Sequence, residues 1–202
     1  VLTGLYRPDE GSIRVDGEDI PATGWPLEQA FRGGSSHPVV FLHGLCENDE
    51  SWNNSADKWG TTYAQRVAAE TDGTPVMLRY NTGLHISENG KHLDALLQQL
   101  VASWPVAVTR ITLVGHSMGG LVVRAATNHA TASGQTWQHL VRDVVCLGTP
   151  HAGANLEKVA HLGSRLLRFW PESSPFSSIL ESRSAGIVDL RTRWLLGREA
   201  CA

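Results

Sequence analysis

The chain has 202 residues, of which 42% are hydrophobic and 18% charged, and its formal net charge is −3. This balance excludes a chain kept disordered by high charge and low hydrophobicity, and the length predicts a globular domain with a sizeable core. The 17 basic residues are scattered rather than striped, which argues against a nucleic-acid partner. Every apolar run is far shorter than the ~18 residues of a transmembrane helix. We therefore expect no transmembrane segment, and a peripheral lipid contact stays open.

Residues 1–36 are rich in turn signals and form a leader whose origin the sequence leaves open. Ser12–Val15 predicts a short strand between two turns, and a Gly- and Pro-rich loop follows. The stretch Leu2–Gly17 resembles the segment just after the phosphate-binding loop of ABC transporter ATPases, but that loop is missing. A fused fragment and a chance turn–strand–turn both fit, and we assign no nucleotide function. The main domain is predicted over residues 37–202.

The cysteines and histidines indicate neither a disulfide scaffold nor a metal site. Cys46, Cys146 and Cys201 are far apart and match no zinc motif. The first two lie in or beside apolar strand-like segments, which predicts small buried hydrophobic residues. His85 and His92 are seven apart with no carboxylate at a ligand spacing, so we expect no metal and no cofactor. Three isolated thiols favour a cytoplasmic location, and secretion stays open because the chain begins without Met.

Apolar strands alternate with amphipathic helices along the main domain. The strands are predicted at Pro38–Leu42, Pro75–Tyr80, Ile111–Val114 and Val144–Leu147. The helices are predicted at about residues 55–70, with Ser55 as N-cap and an apolar face including Trp59, Tyr63 and Val67, and at Asn89–Trp104 and Leu121–Ala132. This order predicts an α/β fold, a mostly parallel sheet with helices on both faces.

A further amphipathic helix is predicted from residue 152 to residue 170, and a Pro- and Ser-rich stretch follows it. Segment 152–180 is therefore either a mobile cap over the site or an ordinary surface helix and loop. Its apolar positions are either contacts for an acyl chain or part of the core; they are Leu162, Leu166, Phe169 and Trp170.

The run Gly115-His116-Ser117-Met118-Gly119 matches the G-x-S-x-G nucleophile elbow, a strained turn between a strand and a helix that exposes a serine hydroxyl. Its glycines leave room for the neighbouring strand and helix, and the helix N-terminus favours developing negative charge. The apolar strand before the run and the helix after it fit this pattern. Ser117 is thus the predicted nucleophile.

His43-Gly44 ends an earlier strand and predicts the second half of the site. Acyl transfer creates an oxyanion that needs two preorganised hydrogen-bond donors. We expect these to be the backbone N–H groups of Met118 and Leu45. His43 and Gly44 are expected to shape the loop, without His43 moving protons.

Three stretches of the sequence are similar to motifs of a known enzyme family; they are Val40–Cys46, Gly115–Gly120 and Leu147–Gly153. In this order they resemble the α/β-hydrolase lipases and esterases, including the branch of triacylglycerol lipases and GPI-inositol deacylase-like proteins. Tyr80–Ile86 and Arg183–Leu190 are similar to a bacterial subgroup of such hydrolases. The resemblance implies the α/β-hydrolase fold, Ser117 as nucleophile, and an oxyanion hole formed by the two N–H groups named above.

The chain departs from that family after the fourth strand. The family order is nucleophile, acid, histidine, with the last two after later strands. No such strands are predicted before residue 202, so we expect an incomplete C-terminus, an acid and a histidine downstream, and an impaired catalyst as supplied. His151 and Asp189 are the candidates within the chain.

The sequence therefore predicts a serine hydrolase that cleaves carboxylic esters, including lipid esters, through an acyl-enzyme on Ser117. A non-catalytic α/β-hydrolase scaffold that binds a partner is the alternative. The expected partner is a small-molecule or lipid ester, and the oligomeric state stays open.

Overall fold

The computed structural model describes residues 31–54, 56–151, 186 and 189, together with the backbone of residues 14–15 and 18–19. Six strands form one sheet in the order β2–β1–β4–β3–β5–β6. They are β1 Arg14–Val15, β2 Glu18–Asp19, β3 Pro38–Leu42, β4 Thr74–Arg79, β5 Ile111–His116 and β6 Val141–Leu147. The last four are parallel to one another, whereas β1 is antiparallel to both β4 and β2.

Four α-helices connect the parallel strands in the described part of the chain. They are α1 Ala56–Trp59, α2 Tyr63–Thr71, α3 Ile86–Ser103 and α4 Met118–Ser133. Short 3-10 helices occupy Asp49–Asn53 and Trp137–Leu140. None of the helices described is long and apolar enough to cross a membrane.

The core has two layers, one on each face of the sheet. Val40 and Leu42 of β3 pack with α3 and α4 on one face. Val39 and Phe41, which alternate with them, pack with Trp52 and the α2 side on the other. β3 is therefore buried along its whole length. The predicted α/β sheet with helices on both faces is confirmed.

The predicted helix at 55–70 is two helices. Gly60 has a positive φ of 71° and ends the first helix. Thr62 then caps α2, because its side chain accepts a 3.1 Å hydrogen bond from the Gln65 N–H. Trp59 and Tyr63, predicted on the apolar face, are 61% and 60% exposed. The small side chains of Ala64 and Ala68 face the core instead. The predicted N-cap Ser55 lies outside the described residues.

The strand predicted at Val144–Leu147 is present as β6, and its side chains are exposed in the structure described. Val144, Val145 and Leu147 are 50%, 41% and 43% exposed, because β6 is the outermost strand and no described element covers it. The prediction that Cys46 and Cys146 are buried is wrong, because neither thiol lies in a covered part of the sheet. Cys146 lies on this outer strand, and Cys46 lies on a turn with a φ of 60°; both are exposed.

The strand order creates a crevice at the carboxyl ends of β3 and β5. The chain leaves β3 towards β4 on one side and leaves β5 towards β6 on the other. Loops that diverge in this way open a crevice where α/β proteins bind ligands. The His43-Gly44 segment and the serine motif both begin at this point.

Candidate active site

Ser117 lies on the turn between β5 and α4, which we call the serine turn (residues 115–119). Its φ of 50° and ψ of −116° are strained for a residue with a side chain. The Ser117 N–H donates to the Leu147 carbonyl of β6 at 2.8 Å, which anchors the turn to the sheet. The side chain is half-buried. The turn thus holds the hydroxyl at the carboxyl edge of the sheet.

Glycines in the serine turn make this conformation sterically possible. A Cβ on Gly115 would lie 2.5 Å from the Gly120 nitrogen, and one on Gly119 would lie 2.5 Å from the Leu42 carbonyl oxygen. Any residue with a side chain at either position would force these backbone atoms apart. The second contact brings the start of α4 directly onto the end of β3.

The loop after β3, residues 43–48, which we call the β3 loop, packs against the serine turn. A Cβ on Gly44 would lie 3.2 Å from the Ser117 Cβ and 3.0 Å from His116 Nδ1. The structure therefore brings together the two segments that the sequence predicted to share a site.

His43 is 1% exposed and shapes the β3 loop through its ring and its backbone. The Tyr80 N–H donates to His43 Nε2 at 3.3 Å, so Nδ1 carries the proton and donates to the Gly44 carbonyl at 2.9 Å. The Tyr80 hydroxyl donates to the His43 carbonyl at 2.7 Å, and the two rings stack at 4.4 Å. Burial lowers the pKa of His43, which favours this neutral form.

Leu45 shares a peptide unit with the Gly44 carbonyl, which His43 Nδ1–H and the Glu47 N–H (3.2 Å) both contact. Because the C=O and N–H of a trans peptide point in opposite directions, a fixed carbonyl also fixes the Leu45 N–H. Met118 is the first residue of α4, where a backbone N–H has no partner within the helix. Among the described residues, no acceptor takes a hydrogen bond from either N–H.

A carboxylate links the β3 loop to the serine turn. Glu47 Oε2 accepts hydrogen bonds from the Gly44 N–H at 2.7 Å and from His116 Nδ1 at 2.8 Å. The Glu47 hydrogen bond raises the pKa of His116 against its partial burial. Burial by itself would raise the pKa of Glu47, but the bonds from His116 and Gly44 outweigh it and hold that pKa below its ordinary value.

Neither predicted triad candidate is hydrogen-bonded to Ser117 in the described part of the chain. His151 is exposed, beside a groove of about 260 Å³ between α4 and β6 that Arg124 and Cys146 also line. Asp189 Oδ2 accepts from the Ile86 N–H at 2.8 Å, and its Oδ1 contacts His85 Nδ1 at 3.0 Å. In the described ranges, no imidazole is hydrogen-bonded to the Ser117 hydroxyl.

Comparison with known proteins places this geometry in a family. Residues 34–179 match the sequence model of the PGAP1-like alpha/beta domain. The chain belongs to this family. It is an α/β-hydrolase of the lipase and esterase type, as its motifs predicted.

This PGAP1-like chain is similar to two curated lipases. It is 30% identical over 122 residues to a triacylglycerol lipase of Pseudarthrobacter phenanthrenivorans, a match covering 58% of this chain and 34% of that one. A triacylglycerol lipase of Burkholderia plantarii is also 30% identical over 122 residues, 58% of this chain and 30% of that one. The chain thus spans about a third of the length of these relatives.

A solved structure supports the fold of this PGAP1-like chain. The Bacillus licheniformis lipase BlEst2 in its mature form superposes with a TM-score of 0.55 and 23% sequence identity. The match covers 78% of this chain and 56% of that one. At this identity the likeness concerns the α/β-hydrolase fold.

Two residues of the site in this PGAP1-like chain were not predicted. Glu47 follows Gly44 by three residues, and an acidic side chain at that distance can reach back to a loop N–H, which is the one sequence signal available. Tyr80 ends the predicted second strand, and only the parallel pairing of β3 with β4 brings it to His43. The apolar residues of the predicted cap segment, including Leu162 and Trp170, lie outside the described residues, as does Cys201.

Proposed function

We propose that this chain carries the nucleophile of a serine hydrolase that cleaves carboxylic esters, lipid esters among them. The observation that carries the proposal is the strained backbone of Ser117, with φ +50°, between a buried strand and the N-terminus of a helix. A conformation that is energetically unfavourable by about 1–3 kcal/mol persists where the surroundings impose it, which is typical of functional sites. The serine hydroxyl is thereby held apart from the helix it precedes.

The reaction follows from these groups. The Ser117 oxygen attacks the ester carbonyl carbon, and the Leu45 and Met118 N–H groups hydrogen-bond the resulting oxyanion. The alcohol leaves with a proton, an acyl-enzyme forms, and water then releases the carboxylic acid. A general base has to take the Ser117 proton, and we expect this base and its acid partner outside the described residues. Without such a base Ser117 would hydrolyse esters slowly, because an unassisted hydroxyl is a weak nucleophile.

Lipid esters are the proposed substrate class. The support is the similarity to two triacylglycerol lipases, each of which matches over about a third of its length. A chain that acts on lipid esters has to meet a lipid surface, so we also propose a peripheral lipid contact.

A fluorophosphonate probe, which reacts with activated serines, tests the proposal in the full natural protein that contains these residues. We expect covalent labelling at Ser117 and hydrolysis of a short-chain nitrophenyl ester, both lost in Ser117→Ala. Ser133→Ala is the matched control, since Ser133 is the exposed last residue of the helix that follows Ser117. This control should be labelled like the wild type. A full natural protein that remains unlabelled, or that is labelled equally in Ser117→Ala, contradicts the proposal and favours a non-catalytic binding scaffold.

A further inference from the structure

The β3 loop reaches the serine turn through a carboxylate that the ester-cleavage mechanism does not use. Both bonds from Glu47 fall on one oxygen, Oε2, at 2.7 Å from the Gly44 nitrogen and 2.8 Å from His116 Nδ1. The side chain of Glu47 is 27% exposed and that of His116 is 36% exposed. The carboxylate therefore lies at the seam between the two segments.

We propose that Glu47 is a positioning residue that holds the β3 loop against the serine turn, so that the Leu45 N–H keeps a fixed direction. This inference rests on the proposed serine hydrolase function. Glu47 touches no reacting atom; it acts through Gly44 and His116.

The peptide units of the β3 loop show why one carboxylate matters. The unit that carries the Gly44 N–H is fixed by Glu47 Oε2 at one end and by the Tyr80 hydroxyl on the His43 carbonyl at the other. The next unit carries the Leu45 N–H, and its carbonyl accepts from His43 Nδ1 and from the Glu47 N–H. Glu47 thus contacts both consecutive units, through its side chain and its backbone. Removing the side chain takes away one of the two hydrogen bonds that fix the first unit and leaves only the bond from the Tyr80 hydroxyl.

The Leu45 side chain also packs against the hydrophobic core, whereas the chain around Cys46 has fewer contacts among the described residues. Cys46 adopts a φ of 60°, a conformation that side chains rarely take, and its N–H has only a long 3.5 Å contact with the Thr82 hydroxyl. Between the end of β3 at Leu42 and the 3-10 helix that begins at Asp49, the chain forms no helix or strand. Among the described residues, the Glu47–His116 hydrogen bond connects this loop with the strand that leads to Ser117.

Charge supports the same role. The pKa of Glu47 lies below its ordinary value, so the carboxylate stays ionised at neutral pH, and the pKa of His116 is raised by the same contact. The other titratable groups that interact with Glu47 are buried His43, buried Tyr80 and exposed Cys46, and the ion-paired Asp49 and Arg79 act on the pKa of His43 in opposite directions.

Three variants of the full natural protein test the proposal. In Glu47→Ala the labelling rate constant of Ser117 at saturating fluorophosphonate should fall by about 10- to 100-fold, because small misplacements of catalytic groups have effects of that size. The concentration for half-saturation should change little. Glu47→Gln keeps an oxygen that can accept from the Gly44 N–H and from neutral His116, so it should recover most of the rate. Glu50→Ala removes a nearby exposed carboxylate and should match the wild type.

Nuclear magnetic resonance separates this proposal from the proposed function. In Glu47→Ala we expect faster exchange of the Gly44 amide and a lower titration midpoint for His116, whether or not Ser117 reacts. A wild type that the probe does not label, with both differences present, refutes the hydrolase function and supports the tie. Unchanged exchange and titration overturn the proposal. A wild-type labelling rate in Glu47→Ala also overturns it, because a merely structural carboxylate would change stability alone.

Discussion

Ser117 and the glycines around it meet two different requirements of the site, a strained backbone conformation and close backbone packing. The serine takes a positive φ that glycine would adopt more easily, because its side chain is the group that has to be presented. Gly115 and Gly119 have no such conformational demand; they are needed because backbone atoms lie where a Cβ would be. Sequence spacing alone identified both kinds of residue, since the nucleophile-elbow pattern encodes them together.

Gly119→Ala tests the steric role. The added methyl would lie 2.5 Å from the Leu42 carbonyl oxygen, so α4 has to shift away from β3. We expect a loss of about 1–3 kcal/mol of unfolding free energy, as for an overpacked site, measured by urea denaturation, and a clear fall in Ser117 labelling.

The matched control is Gly134→Ala, at the far end of the same helix. Gly134 has a φ of 67° with nothing within 4 Å of the added methyl, so this variant should lose only the ~1–2 kcal/mol of left-handed strain and none of the labelling. Equal labelling in Gly119→Ala and the wild type would show that the close contact between α4 and β3 is not needed.

The N-terminus of helix α3 is capped by a residue that is distant in the sequence. The Asp189 carboxylate accepts the N–H of Ile86, the first residue of α3, although the two are 103 positions apart. An acidic group is favoured there by the free N–H groups and the helix dipole. Gly186 lies three residues before Asp189: its N–H donates to the Gly83 carbonyl at 3.3 Å, and a Cβ there would collide with the Thr82 carbonyl oxygen. The two stretches that resembled a bacterial subgroup therefore meet here.

Asp189→Ala and Asp189→Asn distinguish a cap from a triad acid. As a cap, Asp189→Ala should lose about 0.5–2 kcal/mol of unfolding free energy, and Asp189→Asn, which keeps an acceptor, should lose little and retain hydrolysis. A triad acid changed to Asn would instead lower the rate constant by about 10⁴-fold. Denaturation and ester hydrolysis measured on both variants decide between the roles. Asp57→Ala, an exposed acidic residue in the first turn of α1, is the control for nonspecific charge loss.

Two buried histidines, His37 and His43, make the stability of the molecule depend on pH, because burial disfavours their protonated form. His37 and His43 are 4% and 1% exposed, and burial lowers the pKa of each from 6.5. His37 bridges two elements through Thr112 Oγ1 at 2.8 Å and the Thr71 carbonyl at 3.2 Å. His116 has the opposite shift, so the pair it forms with Glu47 is most stabilising below pH 6.5 and weakens as the pH rises through its raised value.

His37→Gln tests the pH dependence. The unfolded state binds a proton on His37 from about its ordinary value of 6.5 downward, whereas the folded state does so only at lower pH. The contribution of His37 to stability therefore decreases as the pH falls below 6.5. Between pH 6.5 and pH 5 we expect the unfolding free energy of the variant to fall less than that of the wild type. His139→Gln, which removes an exposed imidazole, should follow the wild-type curve, and parallel curves for His37→Gln and the wild type would contradict the assignment.

Local patterns in the sequence determined much of this protein. The apolar run of β3, the amphipathic pattern of α3 and the serine motif predicted the α/β order, the strand before Ser117 and the helix after it, since these depend on neighbours within a few residues. Boundaries were less accurate: α3 begins at Ile86 rather than Asn89, and α4 begins at Met118 rather than Leu121.

Tertiary structure decided the rest, because strand pairing and loop contacts join residues far apart in the chain. Parallel pairing of β3 with β4 brings Tyr80 to His43, and pairing of β3 with β5 brings Glu47 to His116. Exposure of Val144 and Cys146 likewise depends on what lies beside β6, which no local pattern contains. The sequence by itself was enough to predict Ser117 as the nucleophile, whereas the packing of the sheet decided which residues contact the surrounding loop.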